Sequence, residues 1–120
     1  MDDEDFILET YGQILKSIGY ESEFAINGIE ALEQIEAAKT ANSPFTAVIM
    51  DLTIPGGMGG KETVKRLRVS DEKTPVFVSS GYSEDPIMAS PTEFGFTDKI
   101  PKPFKKSELE EILNRYFGKK

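Results

Sequence analysis

The sequence predicts an α/β protein in which a parallel β-sheet lies between two layers of helices, a three-layer, doubly wound fold. Two apolar segments, 45–51 and 75–80, are rich in β-branched residues and bounded by Pro and Gly, as strands buried on both faces are. Segments with a helical spacing of apolar residues alternate with them, and such alternation produces parallel sheets through right-handed crossovers. With 120 residues and no linker or repeat, we expect one domain over 1–120.

Three elements are predicted before the first of these strands. An apolar stripe indicates a helix over 5–18, and Gly19 is a natural residue to end it. Residues 20–25 are expected to form a short strand. Asn27 and Glu30 have the spacing of a capping box, which predicts a second helix that reaches about residue 39. Three residues are expected to form its buried face: Ile29, Leu32 and Ile35.

The middle of the chain contains the two strongest strands, with a helix between them. The strand over 45–51 ends at a carboxylate, Asp51, and a Gly-rich loop follows it. We expect a third helix over 60–69 with Val64 and Leu67 facing the core. The second strand, over 75–80, ends at a serine pair.

The last part of the chain contains weaker signals and then a clear helix. A short helix is expected between residues 85 and 94, with limits set by two prolines, and residues 96–100 are short enough for an edge strand. Ser107 and Glu110 have capping-box spacing at the start of the final helix, whose apolar residues recur at helical intervals.

Composition excludes several classes of function. The chain has no cysteine and no histidine, so thiol catalysis, zinc-finger ligation and imidazole general-base chemistry are excluded. A net charge of −7 without a basic stripe argues against nucleic-acid binding, which requires Lys and Arg to neutralise phosphates. No apolar stretch approaches the roughly 20 residues that span a bilayer. We therefore expect a cytoplasmic protein that binds neither nucleic acid nor a membrane.

Polar side chains follow the predicted strands at points where the apolar pattern does not require them. Asp51 ends the first strong strand, Ser80 ends the second, and Lys102 follows the last. An acidic run over 2–5 opens the first helix. The carboxyl ends of parallel strands share one edge of a sheet, so these groups can converge there. Clustered carboxylates suit Mg²⁺, and a metal-neutralised aspartate can attack phosphorus as a nucleophile.

These motifs resemble the receiver domain of two-component response regulators over nearly the whole chain. The matching motifs are Asp2-Asp3-Glu4, Asp51 with Pro55, Ser80 before Gly81-Tyr82, and Lys102-Pro103-Phe104. The segments Ile-Pro-Gly-Gly-Met-Gly-Gly and Ser-Ser-Gly-Tyr-Ser are most similar to receiver domains of hybrid sensor histidine kinases.

The resemblance implies a fold and a set of roles. The fold is the flavodoxin-like parallel sheet with strand order 2-1-3-4-5. Asp51 is implied to accept a phosphoryl group from a histidine kinase or phosphotransfer protein, so the domain is a signalling module and not an enzyme. The implied Mg²⁺ ligands are Asp2, Asp3, Asp51 and the backbone carbonyl of Thr53. Ser80 is implied to be the switch hydroxyl, and Lys102 the partner of the phosphoryl oxygens.

The sequence departs from the family pattern at three places. The family has an apolar first strand before the acid pair, but only Met1 precedes Asp2 here, which predicts an N-terminally truncated domain that lacks its first strand. Unpaired backbone groups on the neighbouring strands would then favour a homodimer or strand exchange. Lys99 stands where receivers usually carry an aromatic switch residue, and the loop after Asp51 is one residue longer than usual.

Two alternatives remain open from the sequence. The first is a Mg²⁺-dependent phosphohydrolase that forms an aspartyl phosphate, but such enzymes of the haloacid-dehalogenase type use a second aspartate where this chain has Thr53. The second is a pseudo-receiver that acts by binding only. The Gly-rich segment 56–60 lacks the ending of a phosphate-binding P-loop, and we interpret it as a hinge.

Overall fold

The structure, a computed structural model, describes residues 1, 5–52, 57–71, 73–80, 85–101 and 105–117. The α-helices are α1 (Asp5–Ser17), α2 (Gly28–Thr40), α3 (Gly60–Ser70), α4 (Pro86–Ala89) and α5 (Lys106–Phe117). A short 3₁₀ helix covers Pro91–Phe94. The strands are β1 (Val48–Asp51), β2 (Val76–Ser80) and β3 (Asp98–Pro101).

The three strands form one parallel sheet in the order β1-β2-β3. Val48 lies opposite Val76, and Phe77 lies opposite Asp98 in the next ladder. The predicted parallel sheet is therefore confirmed, and its order corresponds to the last three strands of the 2-1-3-4-5 arrangement. Within the described residues, β2 pairs with one side of β1, and β1 forms an edge of the sheet.

Helices cover both faces of this sheet and create two hydrophobic cores. One core combines Met50 and Val78 of the sheet with Ile35 of α2 and Val64 of α3. The other packs Phe77 and Ile100 against Leu109 and Leu113 of α5, with partly buried residues of α1 beside them. The sheet thus lies between two helical layers, as the alternation of elements predicts.

Local sequence signals at the first two helices agree with the structure. Gly19 follows α1 with a φ of 97°, a left-handed conformation that glycine adopts without strain. Asn27 precedes α2, and its side-chain oxygen accepts a hydrogen bond from the backbone amide of Glu30 at 3.0 Å. Both residues end or begin their helices as the sequence predicts.

Three local predictions are wrong. Residues 20–25 form no regular secondary structure, since no described strand lies beside them to pair with. The side chain of Ile29 is 55% exposed, and Ala31 joins Ile35 on the buried face of α2. The final helix begins before Ser107, because the carboxylate of Glu108 caps it by accepting a hydrogen bond from the amide of Lys105 at 2.8 Å.

The described helices are also short. None of those in the described part of the chain combines the length and the apolar character needed to cross a membrane.

Candidate functional site

Asp51 is the last residue of β1 and lies at the carboxyl edge of the sheet. It is opposite Ser79 of β2, and the amide of Leu52 continues the pairing by donating to the carbonyl of Ser79 at 2.9 Å. Three preceding apolar residues hold β1 in the sheet, so the strand fixes the backbone of Asp51. Its side chain is only partly buried and remains accessible to a reactant.

The two serines at the end of β2 are both buried, and they point to opposite faces of the sheet. Ser80 is 3% exposed and lies opposite Pro101 of β3. Ser79 is 2% exposed, and among the described residues its hydroxyl oxygen has no hydrogen-bond partner. The structure therefore brings Asp51 and Ser80 to the same edge of the sheet, as the sequence predicts.

Met1 lies beside β1 on the side opposite β2. Its amine donates a hydrogen bond to the carbonyl of Ile49 at 2.7 Å, and its carbonyl accepts one from the amide of Asp51 at 2.9 Å. A residue that bonds to two residues of its neighbour in this way has the pattern of a parallel strand. Met1 therefore occupies one position of an additional parallel strand next to Asp51.

The other predicted site residues lie outside the described part of the chain. They are Asp2, Asp3, Thr53 and Lys102. Asp2 follows Met1 in the sequence, and Lys102 follows Pro101 at the end of β3. Among the described residues, no three acidic or other metal-ligating side chains lie close enough together to hold a metal ion. The predicted ligand set, of which Asp51 is the described member, consists of oxygen donors alone, and its chemistry fits Mg²⁺.

Two glycines allow close packing at the starts of α2 and α3. A Cβ atom at Gly60 would lie 2.9 Å from the carbonyl oxygen of Asp51. A Cβ atom at Gly28 would lie 1.8 Å from the hydroxyl of Thr63, and the Gly28 amide donates to the carbonyl of Met58 at 2.8 Å. The start of α3 is therefore in close contact with the end of β1, and the start of α2 is in close contact with α3 and with Met58. The close packing at Gly28 could not be predicted from the sequence, because a glycine at a helix start gives no indication of its neighbours.

Lys99 stands at the position where the resemblance to receiver domains would imply an aromatic switch residue. The side chain of Lys99 on β3 is exposed. The ring of Tyr116 from α5 contacts Phe77 of β2 edge-on, with 5.3 Å between ring centroids, and its hydroxyl donates to Asp98 at 2.6 Å. This hydrogen bond to the carboxylate raises the pKa of Tyr116, and burial raises it further. The aromatic contact at this end of β3 thus comes from α5.

Known proteins with the same fold resemble the chain over nearly its whole length. Sporulation initiation phosphotransferase F of Bacillus subtilis (strain 168) is 30% identical over 116 residues, which cover 97% of this chain and 89% of that protein. A putative response regulator from Chloroflexus aurantiacus has a TM-score of 0.81 at 30% identity, over 96% of this chain and 91% of that one.

A further neighbour is the receiver domain of a sensor histidine kinase from Pseudomonas aeruginosa, which holds a magnesium ion in its active site cleft. It has a TM-score of 0.83 at 23% identity, over 98% of this chain and 93% of that one, and it shows the shared fold. The chain spans about half the length of other curated relatives that it matches, since it covers 46% of each of two of them.

The family model agrees with the geometry. The model described as "Response regulator receiver domain" matches residues 1–114, a range that contains Asp51, Ser80 and the whole described sheet. The chain belongs to the response regulator receiver domain family.

Proposed function

We propose that this receiver domain accepts one phosphoryl group on the carboxylate of Asp51 from a phosphohistidine of a histidine kinase or phosphotransfer protein. The observation that carries the proposal is the position of Asp51, partly exposed at the carboxyl edge of the sheet between Met1 and Ser79. A phosphotransferase among the relatives supports the reaction class.

The reaction exchanges one bond at phosphorus for another. A carboxylate oxygen of Asp51 attacks the phosphorus atom and forms a P–O bond, while the P–N bond to the donor histidine breaks and its electrons return to the imidazole nitrogen. The product is a mixed anhydride on the side chain of Asp51. The backbone of Asp51, held by hydrogen bonds on the Met1 side and by the sheet on the Ser79 side, presents the carboxylate in one position.

Four groups of this chain would hold Mg²⁺ beside the phosphoryl group. They are the carboxylates of Asp2, Asp3 and Asp51 and the backbone carbonyl of Thr53. When bound, the ion would neutralise the negative charge that otherwise keeps a carboxylate and a phosphoryl group apart. The magnesium ion in the Pseudomonas aeruginosa receiver, a protein of the same fold, supports this assignment.

The remaining two predicted site residues, Ser80 and Lys102, would contact the phosphoryl group itself. The hydroxyl of Ser80 would donate a hydrogen bond to one phosphoryl oxygen, and the ammonium of Lys102 would pair with another. Ser80 is nearly inaccessible, so this contact requires the end of β2 to rearrange. The rearrangement would change the surface that a partner protein binds.

Intact-mass measurement with a small phosphoryl donor tests the proposal. Incubation of the chain with acetyl phosphate and Mg²⁺ should add the mass of one phosphoryl group and release acetate, and a chelator should prevent the addition. If no mass is added at saturating donor and Mg²⁺, the proposal is wrong; if the chain also binds no Mg²⁺, the alternative of a pseudo-receiver that acts by binding only is left. If the chain instead releases phosphate continuously from many phosphate esters, it is a phosphohydrolase.

A further inference from the structure

The hydroxyl of Ser79 is a buried polar group to which neither the fold nor the proposed function assigns a role. Ser79 is 2% exposed, and no hydrogen-bond partner for its hydroxyl oxygen lies among the described residues. Buried polar groups are nearly always hydrogen-bonded, and a buried donor without a partner destabilises the state that contains it. Such a group is often found where a reaction or a ligand supplies the missing partner.

Ser79 and Asp51 extend from the same face of the sheet, on neighbouring strands. They are paired in the parallel ladder, and paired residues direct their side chains to one face. The residues two positions earlier on each strand, Ile49 and Phe77, agree with this, because both pack in the core that contains Leu109 of α5. The strands of a sheet lie about 4.8 Å apart, so short side chains at paired positions are within reach of each other.

Ser80 has a different position relative to Asp51. It ends β2 one residue beyond the level of Asp51, and it extends from the opposite face, as Val78 does. A hydroxyl at the strand end suits a contact with a phosphoryl oxygen that projects beyond the sheet. Ser79 lies level with Asp51 and is therefore placed beside the carboxyl group itself.

We propose that the hydroxyl of Ser79 donates a hydrogen bond to the carbonyl oxygen of the acyl phosphate on Asp51. This inference rests on the proposed function. Phosphoryl transfer bonds one carboxyl oxygen of Asp51 to phosphorus and leaves the other as a carbonyl oxygen. Rotation about the bond between Cβ and Cγ of Asp51 turns this oxygen toward β2, where Ser79 holds a donor.

The hydrogen bond would favour the phosphorylated state over the unphosphorylated one. The carboxylate in the structure does not accept from Ser79, whose hydroxyl has no partner in the described part of the chain. The cost of the unpaired hydroxyl therefore falls on the unphosphorylated state and is removed when the phosphoryl group is bound. An interaction that only one of two states makes shifts the equilibrium toward that state.

Titration with beryllofluoride, which binds to a carboxylate oxygen as a phosphoryl mimic, tests this inference. In the presence of Mg²⁺, fluorine NMR measures the bound fraction, and the dissociation constant should be at least about threefold higher in Ser79→Ala than in the wild type. Ser79→Thr retains the hydroxyl and should restore the wild-type value. Ser70→Ala is the matched control, because Ser70 ends α3 and its hydroxyl donates to the carbonyl of Leu67 at 3.5 Å.

Urea unfolding without beryllofluoride separates this role from a structural one. Ser79→Ala removes the unpaired group, so its unfolding midpoint should be no lower than that of the wild type. A destabilised Ser79→Ala whose weaker binding is not restored in Ser79→Thr would overturn the inference. Equal dissociation constants in the wild type and Ser79→Ala, with a normal adduct from acetyl phosphate, would overturn the inference alone. A wild-type chain that forms no adduct would overturn the proposed function and this inference together.

Discussion

Replacing Asp51 with asparagine is expected to abolish the phosphoryl adduct that acetyl phosphate and Mg²⁺ form with the wild-type chain. An amide of the same shape offers no anionic oxygen to attack phosphorus. The hydrogen bonds that hold residue 51 in the sheet come from its backbone, so the substitution should leave β1 paired with β2. Intact mass measures the adduct, and circular dichroism verifies that the variant is folded.

Asp85→Asn is the matched control for that substitution. Asp85 comes after β2 in the sequence, and its side-chain oxygen caps α4 by accepting from the amide of Ile87 at 2.9 Å. Asparagine retains this acceptor, so the control changes the same charge without removing the cap. Asp85→Asn should be phosphorylated like the wild type. Normal phosphorylation of Asp51→Asn, or an equal loss in both variants, would contradict the assignment of Asp51.

A second large effect is expected at Asp71, far from the carboxyl edge of the sheet. Its carboxylate is 6% exposed and accepts hydrogen bonds from the amides of Lys73 and Thr74, each at 2.9 Å. It also contacts the Thr74 hydroxyl and the Lys39 ammonium, each at 2.5 Å. These contacts join the end of α2 to the turn before β2.

Asp71→Ala should lower the free energy of unfolding by about 3 kcal/mol, the lower end for breaking a buried ion pair. The lower end applies because Lys39 keeps 32% of its side chain exposed and can regain water. Asp71→Asn retains one acceptor oxygen and should give a smaller loss. Urea unfolding with an unchanged slope measures both values. A loss of less than about 0.5 kcal/mol in Asp71→Ala would place the site among ordinary surface positions.

The same carboxylate should make stability depend on pH. Burial alone would raise the pKa of Asp71, but hydrogen bonds from Lys39, Thr74 and Lys73 outweigh it and hold the pKa well below the ordinary 3.8. A pKa that is lower in the folded state stabilises the fold above the ordinary value, and this stabilisation is lost as the pH falls below it. Wild-type stability should therefore fall below about pH 4. The fall should be smaller in Asp71→Asn, which does not titrate.

The fold could be predicted where the sequence pattern itself determines burial. The apolar segments that become β1 and β2 are buried on both faces, so their composition alone identifies them. The segment 20–25 was expected to form a short strand, but no described strand lies beside it, and a strand without a partner does not form. Ile29 has helical spacing, yet the close contact of Gly28 with Thr63 turns Ala31 and Ile35 toward the core.

The site could be predicted in part, for a topological reason. Parallel strands bring their carboxyl ends to one edge, which places Asp51 and Ser80 there although they are distant in sequence. Asp71 was not identified, because a single aspartate in a turn gives no sign of a lysine 32 residues earlier. The roles of all six predicted site residues and the likeness to hybrid-kinase receivers stay predictions.

The central claim is that Asp51 carries the phosphoryl group, and chemical localisation of that group tests it most directly. Borohydride reduces the carbonyl carbon of an acyl phosphate to an alcohol and converts a phosphorylated aspartate to homoserine. After treatment with acetyl phosphate, Mg²⁺ and borohydride, peptide mapping should find homoserine at position 51 and at no other aspartate. Homoserine at another position, or a phosphoryl group on Ser79 or Ser80 that resists borohydride, would contradict the account.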